Sequence, residues 1–195
     1  MTQDPTRLDA ALAAIDAANA ADPTLEDGRP AALVYGERMS AELERLFPQA
    51  SEVLRIAARG QHVERWTLSR DSYPQGRPGY LAWRKEQGRR HAERVAGIMA
   101  DAGYGEEEIA RSGRMLRKEG IKRDPEVQQL EDVICFVFLR WYFSPFADGR
   151  DPEELLRIVT RTARKMSDEG RARVLAEFDL PEPFAAAFRP EAETL

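Results

Sequence analysis

The stretch DPEVQQLEDVICFVFLRWYF, residues 124–143, decides the fold. Asp124-Pro125-Glu126 has the form of a helix start, because an acceptor side chain precedes a proline whose missing N–H costs nothing in a first turn. From Val133 to Phe143 the chain is apolar nearly all round, broken only by Arg140. A helix without a polar face belongs in an interior. The run is far below the ~20 residues of a membrane span, so it is predicted to be the central buried helix of a soluble fold.

Working outward, apolar residues recur at helical spacing, and no run of alternating β-branched residues bounded by turn dipeptides appears. The reading is one all-α domain over residues 1–195, with about eight helices packed around 124–143. Asp4-Pro5 opens a first helix that ends near Ala21, and residues 23–30 form a polar loop. Helices follow at 31–47 and from Gln49 to about Trp66. Residues 67–79, TLSRDSYPQGRPG, hold two Pro, two Gly and two Arg and are predicted to be a loop. A structureless segment of that length inside a compact domain is usually functional, so it is the binding-loop candidate. Helices resume at 80–102 and 106–118. Ser144-Pro145 ends the central helix, two more helices run to Arg164 and from Glu169 to Phe178, and 181–195 is a peripheral tail.

The formal net charge of -5 hides an asymmetry. Residues 51–123 carry 16 bases against 10 acids, while both flanks are acidic. An arginine-rich centre suits a phosphate or carboxylate ligand, which the guanidinium fork meets with two parallel hydrogen bonds. Pairing of that centre with the acidic flanks is the plainer explanation. The acidic balance argues against nucleic acid as partner. Arg outnumbers Lys 25 to 4, as in the coding bias of a GC-rich bacterium, and one cysteine with no leader-like N-terminus fits a cytoplasmic protein. Membrane partners are not expected, and a homo-oligomer is compatible with the sequence.

Only two histidines, His62 and His91, are present. His91 shares a helical face with Val95, Ile98 and Ala102 and so points inward. Asp132, at the mouth of the apolar helix in line with Cys135, Phe136 and Leu139, is a carboxylate that burial obliges to pair. The bland reading makes each a satisfied core group, with Asp132 bridged to Arg59 or Arg114. The functional reading gathers His62, His91 and Asp132 as catalytic groups around one cavity. Cys135 is a core residue rather than a nucleophile. Lys165-Met166-Ser167 matches half of the lysine-methionine-serine loop of class I aminoacyl-tRNA synthetases, without its following lysine or its β/α setting. Phosphate-binding P-loops, dinucleotide glycine fingerprints and paired Cys-x-x-Cys sites do not occur.

Several motifs together resemble a known family. They are Arg59-Gly60-Gln61-His62-Val63-Glu64-Arg65-Trp66, Ser69-Arg70, Tyr73-Pro74-Gln75-Gly76-Arg77 and Gly79-Tyr80-Leu81-Ala82-Trp83-Arg84. The match continues through His91-Ala92, Lys118, Asp124 to Gln128, Leu130 to Val133, Phe138-Leu139 and Thr162 to Ser167. The family is domain of unknown function 4202, which implies relatives but no reaction. More distantly, the order of helices with His62 and Leu130-Glu131-Asp132 resembles the all-helical HD-domain phosphohydrolases. That resemblance implies a divalent metal activating water on a phosphate ester, with His62 as the histidine of the His-Asp pair and Asp132 as the distal aspartate. Val63 replaces the paired aspartate, and no histidine stands near Tyr35 to Arg38, where the first ligand falls in that pattern. No residue is therefore assigned to a metal, and weak or absent divalent-metal binding is expected.

Two functions of different class follow. One is an HD-like hydrolase acting on a phosphorylated or otherwise anionic small molecule, with His62, His91 and Asp132 central. Arg59, Arg65, Arg70, Arg77, Tyr80, Trp83 and Arg84 would bind its substrate. The other is a non-catalytic module in which the same arginines and Tyr80, Trp83 and Trp66 hold a metabolite or a protein partner.

Overall fold

The computed structural model describes residues 6–190. Among them are ten α-helices and one two-stranded ladder, so the all-α expectation holds with two more helices than foreseen. The chain forms two compact units, one ending at Gly120 and one beginning at Ile121.

In the first unit, α1 (Arg7–Asn19) starts at Thr6, whose hydroxyl accepts from the Asp9 N–H while the Asp9 carboxylate accepts from the Thr6 N–H. This reciprocal cap stands in place of the Asp4-Pro5 start, which lies outside the described residues. The predicted polar loop at 23–30 contains a small hairpin, β1 (Leu25–Glu26) with β2 (Arg29–Pro30), in the register Leu25↔Pro30 and Glu26↔Arg29. Asp27 at φ +51° and Gly28 at φ +78° make the left-handed two-residue turn that a tight hairpin needs. Asp22, accepting from the N–H groups of Thr24 and Ala32, then anchors the start of α2 (Ala31–Leu46).

Ser51 caps α3 (Glu52–Arg59), which is half the length predicted. It ends at Arg59, and at the following Gly60 a Cβ would lie 2.6 Å from Val95 Cγ2, so the chain passes too close to its neighbour to carry a side chain there. Glu64, at φ +51°, turns the chain again. Single 3₁₀ turns follow at Arg65–Thr67 and Arg70–Ser72, and α4 (Gly76–Asp101) begins four residues before the predicted start at Tyr80. Pro78 sits in the first turn of α4, where no N–H is required, so it does not delay the helix. The predicted loop 67–79 is thereby cut to 68–75. At Gly79, buried on α4, a Cβ would fall 1.9 Å from the Pro74 carbonyl oxygen. α5 (Glu106–Leu116) completes the unit, whose interior holds Ile15, Met39, Leu43, Ile56, Met99 and Met115 at 1% exposure or less.

In the second unit, Asp124 caps α6 (Pro125–Val137) through the Glu126 and Val127 N–H groups. The helical path does not stop at Ser144-Pro145 as expected. It widens into one π turn over Phe138–Tyr142 and continues as α7 (Phe143–Ala147), with Pro145 again in a first turn. Burial is complete at Val133, Phe136 and Val137, while Arg140 is exposed. α8 (Pro152–Lys165) and α9 (Asp168–Glu177) follow, and 182–188 of the predicted tail form α10 (Glu182–Phe188) with Phe188 buried. The rest of that tail, 191–195, lies outside the described residues.

Candidate functional site: a cationic platform on one helix

On α4, Tyr80, Arg84, Gln87 and His91 follow one another at spacings of four, three and four, which puts them on one face. Residues 60–68 lie along this helix in the opposite direction. Gly60 meets Val95, and the Gln61 backbone is hydrogen-bonded to His91. Glu64 pairs with Arg94 at 3.0 Å. Gln87 Nε2 donates to the carbonyls of Arg65 and Leu68, and Trp83 Nε1 donates to Leu68 as well. Asn19 of α1 accepts the Glu64 N–H at 3.3 Å and steadies the turn. A segment that sequence periodicity assigns to helix is thus a strip pinned to a neighbour by polar side chains.

This strip gathers most of the candidate residues. The Arg65 guanidinium lies over the Trp83 ring at 4.5 Å. Arg84 donates to the Tyr80 hydroxyl at 3.4 Å, at the long end of a hydrogen bond. Among the described residues neither guanidinium has a carboxylate partner. Burial holds Arg65 below its ordinary value, with the Arg84 charge acting in the same direction and Tyr35 and Tyr80 opposing. Two cations near one another without an acid leave a field that an anion would neutralise.

The histidines stand in that field. The rings of His62 and His91 are 6.1 Å apart, and Tyr35 of α2 stacks on His62 at 3.8 Å. Burial first, then the Arg65 charge, pushes His91 down to about 3 against the support of its Gln61 hydrogen bond. The packing around His62, followed by the charges of Arg65, His91, Lys118 and Arg84, holds it well below the ordinary histidine value. Both imidazoles are uncharged at neutral pH. Nε2 of His91 is buried with no hydrogen-bond partner.

Other candidates have different work. Arg59 grips Asp16 with two hydrogen bonds of 2.6 and 2.7 Å and reaches Ser40. Arg70 donates to the carbonyls of Tyr73, Pro74 and Gly76, so its fork ties the 68–75 loop to itself. Arg77 is exposed in the first turn of α4, and Trp66 lies on the 3₁₀ turn. Tyr35, Gln61 and Gln87 were not singled out by the sequence. Only the four-three-four spacing on α4 could have pointed to Gln87.

Asp132 belongs to the second unit. Its carboxylate accepts from the Ser167 N–H at 2.8 Å, the Ser167 hydroxyl at 2.5 Å and Gln128 Nε2 at 3.0 Å. Burial raises its pKa, and these hydrogen bonds oppose the rise. Ser167 in turn accepts the Gly170 N–H and caps α9, and a Cβ on Gly170 would lie 2.9 Å from Asp132 Cγ. The buried carboxylate is satisfied by uncharged donors of its own unit, while Arg59, offered with Arg114 as its partner by the sequence, holds Asp16.

A divalent ion of the kind the HD resemblance implies does not fit these residues. Among the described residues no three His, Cys, Asp or Glu side chains form a metal-holding group, and His62 and His91 sit where arginine charge already repels cations. No described helix is long and apolar enough to cross a membrane.

Fold and site together define an all-α protein that carries an aromatic, arginine-bearing platform along one long helix. The chain belongs to the family described as a domain of unknown function (DUF4202), whose model matches residues 9–187. No curated protein and no solved structure matches it.

Proposed function

We propose that the first unit binds a small anionic molecule, phosphorylated or carboxylated, at Arg65 and Arg84. One observation carries this reading: among the described residues two neighbouring guanidinium groups lack carboxylate partners, and one of them is partly buried over Trp83. Holding such a pair together costs free energy unless an anion offsets the repulsion. Tyr35 and Tyr80 add hydroxyls beside the cations, and Trp83 fixes the plane of the Arg65 fork. Titration of the full chain with inorganic phosphate and pyrophosphate, followed by calorimetry, tests the reading. Arg65→Met and Arg84→Met should each weaken binding at least about tenfold, as loss of a charged hydrogen bond implies. No heat with either anion, or unchanged affinity in both variants, would overturn it.

A hydrolytic role for the same platform draws on the uncharged His62. A bound phosphoester would offset the positive field and move His62 toward the value a general base needs at neutral pH. Release of nitrophenolate from p-nitrophenyl phosphate, lost in His62→Gln, separates an enzyme from a binding module.

A further inference from the structure

We propose that the anion held at Arg65 and Arg84 is the phosphate of a nucleotide whose base stacks on the exposed ring of Tyr80. The inference rests on the anion-binding reading and specifies its ligand. The four side chains concerned form one contiguous cluster. The Tyr80 and Trp83 rings are 6.0 Å apart at 38°, and the Arg65 guanidinium covers Trp83 at 4.5 Å. Arg84 donates to the Tyr80 hydroxyl at 3.4 Å, with its guanidinium 5.8 Å from the ring. Trp83 is used up in this cluster, being 9% exposed with Arg65 on its face. Tyr80 is not. It is 42% exposed, and its ring and hydroxyl contacts among the described residues are with Trp83 and Arg84.

The described residues include three exposed large hydrophobic side chains, Leu25, Tyr80 and Leu81. Two of them adjoin Arg84, four and three residues before it on α4. Apolar surface left in water beside a cation without a carboxylate partner fits a ligand with one apolar part and one anionic part. Size points to a small molecule, because two side chains fall far short of the ~800 Å² per partner of a stable protein interface. Shape points to a flat apolar part, since an aromatic ring pairs best with another in an offset stack. Charge points to a neutral ring, which the two arginines do not repel, and the nucleobases are neutral at pH 7. The Tyr80 hydroxyl accepts from Arg84 and keeps its own proton to give, so one side chain serves a phosphate oxygen with its tip and a base with its ring.

The test titrates the full chain with adenosine monophosphate and with ribose 5-phosphate, which carries the same phosphate and sugar but no base. The nucleotide should bind about tenfold tighter, the lower end of what one base stacked on an aromatic side chain contributes. Tyr80→Phe should keep that ratio, and Tyr80→Leu should abolish it, whatever the lost hydroxyl does to both ligands. On the wild-type chain, proton NMR should show the adenine ring protons moving upfield with Overhauser contacts to the Tyr80 ring, a readout independent of how a variant folds. Equal affinities, a ratio that survives in Tyr80→Leu, or no contact with Tyr80 at saturation would overturn the stacking and leave the platform standing. If neither compound binds, both fall.

Discussion

Gln87 and Arg65 are joined by one hydrogen bond of 2.9 Å, from the side-chain amide of the first to the backbone carbonyl of the second. The same amide reaches Leu68 at 3.1 Å, so a single buried side chain fixes the strip that presents Arg65 to the α4 face. Gln87→Leu keeps the volume but removes both amide hydrogen bonds, leaving the Arg65 carbonyl only the long bond from the Leu68 N–H and the Leu68 carbonyl only Trp83. It should cost about 1–3 kcal/mol in denaturant unfolding and weaken phosphate binding although Gln87 lies outside the proposed contacts.

Acid should unfold the first unit through its histidines. An imidazole that stays neutral in the fold takes its proton only on unfolding, so the stabilisation present above 6.5 is lost as pH falls toward the folded value. His91→Phe no longer feels this. Between pH 7 and pH 5 the stability gap between wild type and this variant should shift by about 2 kcal/mol in favour of the variant, read from urea midpoints at the two pH values.

Gly170→Ala places a methyl group against the Asp132 carboxylate, 2.9 Å from its Cγ. The Ser167 cap must give way, and a loss of about 1–3 kcal/mol is expected in the thermal unfolding of the chain. Phosphate affinity measured below the transition should be unchanged, since the residues proposed to bind it all lie before Gly120.

Arg70→Ala frees the Tyr73 and Pro74 carbonyls and should loosen residues 68–75. Faster proteolytic nicking there, with about 1 kcal/mol of lost stability, is the expected outcome. Arg77→Ala, on an exposed side chain, should alter neither nicking nor phosphate binding by a measurable amount.

Much of the fold was legible because proline, glycine and capping residues mark helix ends locally. Asp124 and Ser167 cap helices close to where the sequence places their starts. The failures share a cause. The helix expected through His62 to Trp66 ends at Arg59, and residues 64–68 are held instead by Gln87 and Arg94 of α4, 19 to 30 positions on, neighbours that no local pattern contains. Pro78 falls inside the predicted loop and Pro145 at a predicted helix end, yet each sits in the first turn of a helix. At the site, His91 could be placed by its spacing with Val95 and Ile98. The occupation of Arg59 by Asp16, and of Arg70 by its own loop, depends on long-range approach or on carbonyl directions that composition does not encode.

The strip along α4 bears on the order in which the chain folds. Its fastenings join residues only 15, 19, 22 and 30 positions apart, and loop-closure entropy for such short spans is small. In synthesis from the N-terminus, Arg94 leaves the ribosome before Ile121. The strip and α4 can therefore dock while the second unit is still inside the ribosome or not yet made.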